Sequence, residues 1–211
     1  MSEPLDRDRL AVLVHEVRSP VAALAAIADT FVDVGPGTPD RPELVRLALA
    51  ACRGLERIVV DVVTASVRRE PVDPGELAQD VAATASLGGA RVEVAIEPGL
   101  PLVSGDPVRL RQALSNLVTN ALVHSGSSEV VVGARSDGDG VALYVSDSGI
   151  GIPEAQQERI FDPGERLDPE RPGSGLGLAV VRAIAEAHGG CLGVRSAPDE
   201  GATFTLALPR G

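Results

Sequence analysis

Aromatic residues are nearly missing from this chain: they make up 2% of its 211 residues, with one tyrosine, three phenylalanines and no tryptophan. Its core must therefore be built from Val, Leu, Ile and Ala, within an apolar content of 44%. The length suffices for one large domain or two small ones. Basic runs are missing as well. The net charge is −11 and the arginines are scattered, which argues against wrapping nucleic acid or lying on an acidic membrane, since both need clustered Lys and Arg. Cysteine is reduced to Cys52 and Cys191, too far apart for a Cys-x-x-Cys or Cys/His ligand spacing. Both are expected as buried small side chains in a reducing compartment. No stretch approaches the roughly eighteen apolar residues of a membrane span. No basic-then-apolar leader opens the chain either. The expectation is a soluble, cytoplasmic protein with no membrane span in this chain.

What is present begins with helical periodicity. Between about Leu5 and Val34, apolar residues at Leu10, Val14, Val17, Val21, Leu24, Ala28 and Phe31 alternate spacings of four and three, a heptad seam. Gly35-Pro36-Gly37-Thr38-Pro39 interrupts it, because glycine and proline end helices through backbone freedom and lost donors. A second seam follows at Leu44, Ala48, Ala51, Leu55, Ile58, Val62 and Ala65. So short a break makes the two helices antiparallel neighbours. A hairpin with one seam per helix leaves apolar edges uncovered, and a four-helix bundle made from two copies covers them. Residues 1–70 are therefore read as a homodimerising helical hairpin. His15 follows Val14 and falls just outside the seam, with Glu16 beside it and Ser19 one turn on. A surface histidine and a nucleophile whose ring proton Glu16 accepts both fit this placement. The segment alone leaves the two readings open.

From Pro71 to Gly211 the pattern is mixed. Alternation predicts strands over Arg91–Ile96, Glu129–Arg135, Val141–Ser146, Leu192–Ser196 and Thr203–Leu208. Helices are predicted over Gly75–Leu87, Pro107–His124 and Leu176–His188, and Asp137-Gly138-Asp139-Gly140 reads as a hairpin turn. The whole is an α+β chain: a helical hairpin followed by an α/β two-layer sandwich, not a doubly wound parallel sheet. Three features converge in the second part. Asn116 and Asn120, four apart, share one helix face. Asp147-Ser148-Gly149-Ile150-Gly151 follows a strand, where a carboxylate can accept from an exocyclic amine while glycine backbone passes close to a ring; an Asx turn explains the same residues. Gly173-Ser174-Gly175-Leu176-Gly177 opens the last helix, where bare N–H groups favour phosphate; a flexible loop end is the plain alternative. The glycine spacing fits neither the Rossmann fingerprint nor a P-loop. The polar stretch from Pro153 to Pro172 reads as a lid or a disordered segment.

Taken together, these residues resemble the sensor histidine kinases of two-component systems. His15-Glu16-Val17-Arg18-Ser19-Pro20 is similar to their H-box, and Asn116 to Ala121 to their N-box. Asp147 to Ile152 is similar to the G1 box, and Gly173 to Leu178 to the G2 box. Ala187-His188-Gly189-Gly190 and Gly201-Ala202-Thr203-Phe204 look like the family's last helix and hairpin. The resemblance implies an ATP-binding fold of the GHKL type. It also implies a histidine autokinase with ATP and Mg²⁺ as cofactors and a response-regulator receiver domain as partner. In that scheme His15 is the phosphoacceptor and Glu16 its base. Asn120 holds Mg²⁺, with Asn116 in support. Asp147 binds the adenine amine in a pocket shaped by Gly149 and Gly151. Gly173, Gly175 and Gly177 support phosphates and lid, and Arg166 is the basic lid residue. His188 simply ends a helix.

The chain departs from that family at four points. Val123 stands where Lys or Arg is usual, and Gly164 where the lid carries a second Phe after Phe161. Ser19 replaces the commoner Thr or Asn at a position associated with dephosphorylating the regulator. No sensor region is visible, which fits either a piece of a longer kinase or one that takes its signal from a separate sensor protein. These departures predict weak nucleotide binding and a loose lid, both improved by Val123→Lys or Gly164→Phe. They also frame the alternative, a histidine phosphotransfer or scaffold protein with a degenerate ATP site.

Overall fold

The computed structural model describes residues 17, 20–27, 44–48, 50–52, 54–55, 58, 67–87, 89–127, 129–167 and 175–211. Two compact units divide the chain, Met1–Val62 and Val63–Gly211. In the first, residues 20–27 and 44–48 are helical, as are 50–52, 54–55 and 58. Along the second run the less exposed positions are Leu44, Ala48, Ala51, Gly54, Leu55 and Ile58, all but Gly54 on the predicted seam. In the first run they are Pro20, Leu24 and Ile27, while Val17 and Val21 are 38% and 49% exposed. A side chain added at Gly54 would meet the Pro20 ring at 3.9 Å, so the two runs are neighbours. The remaining predicted seam positions, and His15, Glu16 and Ser19, lie outside the described residues.

The second unit opens with a three-residue strand, β1 (Glu70–Val72), which pairs antiparallel with β3 (Val103–Gly105). Between them lie α1 (Pro74–Leu87) and β2 (Arg91–Ile96). Then follow α2 (Pro107–His124), β4 (Glu129–Asp137), β5 (Gly140–Asp147), α3 (Gly177–Ala187), β6 (Cys191–Ser196) and β7 (Ala202–Leu208), with two 3₁₀ turns at Glu154–Gln156 and Arg159–Phe161. Both α1 and α2 start on Asp-Pro. Asp73 Oδ1 accepts the N–H groups of Gly75 and Glu76, and Asp106 Oδ1 those of Val108 and Arg109. Each proline fills the first helical position, where its missing N–H costs nothing.

The five-stranded sheet runs β2-β4-β5-β7-β6, parallel only between β2 and β4. It is therefore a mixed sheet, and the mononucleotide-binding parallel arrangement is absent from it. Alternation along the central strands decides which face is covered. Val130, Val132 and Ala134, then Val141, Leu143 and Val145, then Phe204, Leu206 and Leu208 are all buried. Leu110, Leu114 and Leu117 of α2 and Val181 and Ile184 of α3 complete that core. Each fully buried aliphatic side chain contributes about 1.5–3 kcal/mol, so this layer carries the fold without a single Trp. Cys191 corrects one expectation: it is exposed at the start of edge strand β6, and Cys52 is exposed as well. Small apolar character predicts burial only where an element turns that position inward. Among the described residues no helix is long and apolar enough to cross a membrane.

Candidate functional site

The helix α2 supplies one side of the site. Asn116, Asn120 and His124 follow one another at single turns and line one cavity of about 270 Å³. Their face is left off the core because Leu110, Ala113, Leu114, Leu117 and Ala121 take the buried one. Asn116 Nδ2 donates to the Gly177 carbonyl at 3.5 Å, which brings the start of α3 to the same cavity.

Asp147, the last residue of β5, is buried in that cavity's lining. Its Oδ1 accepts the Gly149 N–H at 2.9 Å, and the Ala202 N–H and Ser125 hydroxyl also donate to the carboxylate. Burial still dominates and holds its pKa above the ordinary carboxylate value, with the three donors pulling the other way. The following turn is locked from two sides. Ile150 N–H donates to Ser125 O at 2.9 Å, and Asp199 N–H to Ile150 O at 2.8 Å. A Cβ at Gly149 would collide with the Ser125 carbonyl and one at Gly151 with the Ala197 carbonyl, so the close approach requires glycine at both. Ile152, Ile160, Leu178 and Phe204 form apolar walls, a lining suited to a flat ring. Phe161 meets Phe204 edge-on at 6.4 Å.

The other side is the start of α3. Its N-cap is Leu176, whose own side chain offers no acceptor, and its first turn carries no acidic residue. Gly175, Gly177 and Leu178 line the cavity there, and a positively polarised helix start with small residues suits an anion. Asn120 is an oxygen donor on the same cavity. Among the described residues there is no cluster of three His, Cys, Asp or Glu to hold a metal by protein alone. That donor set fits Mg²⁺, which takes one or two protein oxygens and completes its shell with phosphate and water.

Of the residues singled out from sequence, Asn116, Asn120, Asp147, Gly151, Arg166, Gly175 and Gly177 line the one cavity, and Gly149 lies in the turn beside it. Gly173 lies outside the described residues, as do His15, Glu16 and Ser19. His124, Thr119, Glu165, Ile160 and Phe204 were not foreseen. His124 was findable, one turn beyond Asn120; Ile160 and Phe204 reach the cavity by tertiary folding that no local pattern encodes. Val123, one of the departures, is exposed and is not among the lining residues. Gly164 has φ 77° and donates its N–H to Gly175 O at 3.2 Å. A Cβ on Gly175 would sit 2.8 Å from the Gly164 carbonyl carbon. Gly164 thus satisfies a backbone demand that Phe cannot meet without strain.

Residues 105–211 match the family model described as histidine kinase-, DNA gyrase B- and HSP90-like ATPase. That stretch is just over half of the chain and holds every residue lining the cavity. The chain belongs to this ATPase family. Its similarity to the sensor histidine kinase ZraS of Klebsiella oxytoca is 34% identity over 209 residues, covering 94% of this chain and 45% of that protein. The crystal structure of full-length ShkA in complex with AMPPNP is similar over 96% of this chain and 45% of that one, at 28% identity and a TM-score of 0.66. The ATP-binding domain of PrrB from Mycobacterium tuberculosis is 32% identical, with a TM-score of 0.55, over 68% of this chain and 98% of that domain. The chain spans about half the length of the curated relatives it matches, which are sensor histidine kinases. Within this ATPase family the cavity between α2, the Asp147 turn and α3 is the place where nucleotide chemistry can be read residue by residue.

Proposed function

We propose that the chain is the core of a histidine autokinase, which transfers the γ-phosphoryl group of ATP to His15 and then to an aspartate of a response-regulator receiver domain. The observation that carries this reading is the convergence on one cavity of a buried carboxylate, two helix-borne amides and a helix start with no acidic residue in its first turn. Asp147 accepts the adenine amine, and its raised pKa makes the pairing favourable because the amine replaces lost water. Apolar Ile152 and Phe204 hold the ring. The α3 start and Arg166 face the phosphates. Asn120, supported by Asn116, is the residue that would hold Mg²⁺, and the ion would neutralise phosphate charge there. Phosphoryl transfer asks mainly for positioning and charge neutralisation, and these groups supply both. Glu16 accepts the His15 ring proton, and Ser19 stands one turn away for the reverse chemistry on the regulator.

The same reading places residues 1–70 as the dimerisation and phosphoacceptor domain and 71–211 as the catalytic domain. Exposed Val17 and Val21 support a partner helix, so two chains form an antiparallel-hairpin four-helix bundle. A separate sensor protein, or further sequence, delivers the signal in the cytoplasm. The relay or scaffold alternative rests on Val123 and Gly164; Val123 does not line the cavity and Gly164 meets a backbone demand, which favours the autokinase reading. Incubation with γ-labelled ATP and Mg²⁺ tests the proposal: the label should be acid-labile and base-stable. A label with the opposite stability, or none, overturns it.

A further inference from the structure

The histidine that ends α3 does more than stop a helix. His188 is 1% exposed, and both ring nitrogens are engaged. Its Nε2 accepts the Asp106 N–H at 2.9 Å, so Nδ1 carries the proton and donates to Ile184 O at 2.7 Å. Asp106 is in turn the N-cap of α2, its Oδ1 taking the Val108 and Arg109 N–H groups. Its other oxygen, Oδ2, accepts the N–H of Arg68, in the segment leading into β1. Arg69 adds a second tie from that segment, its guanidinium donating to Ala187 O at 3.2 Å. Gly105 leaves the room: a Cβ there would stand 3.0 Å from the imidazole.

We infer that His188 and Asp106 form a positioning lock. They join the base of α3 to the base of α2 and fasten both to the segment arriving from the helical unit. The geometry makes this consequential. Asn116, midway along α2, donates to Gly177 at the start of α3, so two ties join these helices, one at the lock and one at the edge of the cavity. Eleven helical residues separate the lock from the phosphate end, about 16 Å at 1.5 Å per residue, so a tilt of about 5° at the lock displaces Gly177 by about 1.4 Å. Misplacement on the order of 1 Å costs up to about a hundredfold in rate where reaction depends on alignment. His188 touches no nucleotide; it acts through the helices that do. The inference rests on the nucleotide reading of the cavity, and its test is built to fail separately.

Three variants of the full chain separate the bonds. In His188→Gln the side-chain oxygen reaches the Asp106 N–H while the local bond to Ile184 is lost. In His188→Asn the local bond is kept and the bond to Asp106 is lost. In Asp106→Asn the Oδ1 cap is kept and the acceptor for Arg68 is lost. Below the melting temperature of every variant, His188→Asn should speed amide exchange at residues 175–180 of the nucleotide-free protein by about fivefold or more. It should also weaken Mg-ATP binding by about five- to tenfold, whereas His188→Gln stays within about twofold of the parent. Asp106→Asn should lower the kcat of histidine labelling more than it raises KM. If Asn and Gln at 188 behave alike, or exchange at 175–180 is unchanged in both, the lock is overturned; parent-like kcat in Asp106→Asn removes the linker from it. A parent chain that binds no Mg-ATP defeats the nucleotide reading instead, and the exchange comparison still decides the lock.

Discussion

Asp147 carries a cost in the folded protein while it is ionised. Its carboxylate is buried beyond what its three donors offset, so the folded protein holds its pKa above the unfolded value. Such a group penalises the fold while ionised, and the penalty disappears as pH falls through the raised folded pKa towards the ordinary carboxyl value of about 4. Asp147→Asn should therefore melt higher than the parent near pH 7, with the gap closing on acidification, and should lose Mg-ATP binding by about tenfold or more. Calorimetry of both properties checks the pair of effects; a variant that melts lower at pH 7 contradicts the assigned cause. Gly164 is the opposite case, a residue chosen by backbone and not by ligand. Gly164→Phe must place a bulky side chain at φ 77°, which should destabilise by about 1–2 kcal/mol in chemical denaturation. It should not improve nucleotide binding. Sequence alone misjudged this position because the family pattern shows which side chain is absent, while the sign of φ is invisible until the chain is folded.

At the scale of elements, the long strands and helices of the second unit were legible because their periods of 2.0 and 3.6 run for six residues or more. Helix α2 is read from sequence to its last residue, since Asp106-Pro107 starts it and Ser125-Gly126 ends it. The short strands β1 and β3 were not legible: three residues beside Pro71 or Pro101 are too few to show a period. Nor was the clamp on the Asp147 turn, which comes from the β6–β7 connection. There Asp199 sits at φ 63° and donates to Ile150 O, while Gln157 Nε2, after the first 3₁₀ turn, donates to the carbonyls of Ile152 and Ser196. Aspartate tolerates the left-handed region and a β-branched residue does not. Asp199→Val should lower stability by about 1–2 kcal/mol and weaken Mg-ATP binding in the same protein, because the turn it displaces is proposed to hold the adenine end. A stability loss with unchanged affinity, measured by titration well below the melting temperature, would detach the hairpin from the site.

At the scale of the molecule, the ATPase family membership covers the second unit and the similarity to sensor histidine kinases extends over nearly the whole chain. The apolar positions left open at Val17 and Val21 give the first unit a reason to associate. The full chain should be a homodimer at micromolar concentration and residues 71–211 alone a monomer, as light scattering will show; a monomeric full chain contradicts the four-helix bundle. In the proposed function a single histidine joins these units into one activity. His15 lies in the stretch that resembles an H-box while every group proposed to bind nucleotide lies in the other unit, so the proposed acceptor and donor can be separated by one substitution. The measurement is labelling by γ-labelled ATP and Mg²⁺, with Mg-ATP affinity determined on the same samples, for the parent and His15→Gln. The account predicts an acid-labile label on the parent, none on His15→Gln, and equal affinity in both; an acid-labile label that survives in His15→Gln contradicts it.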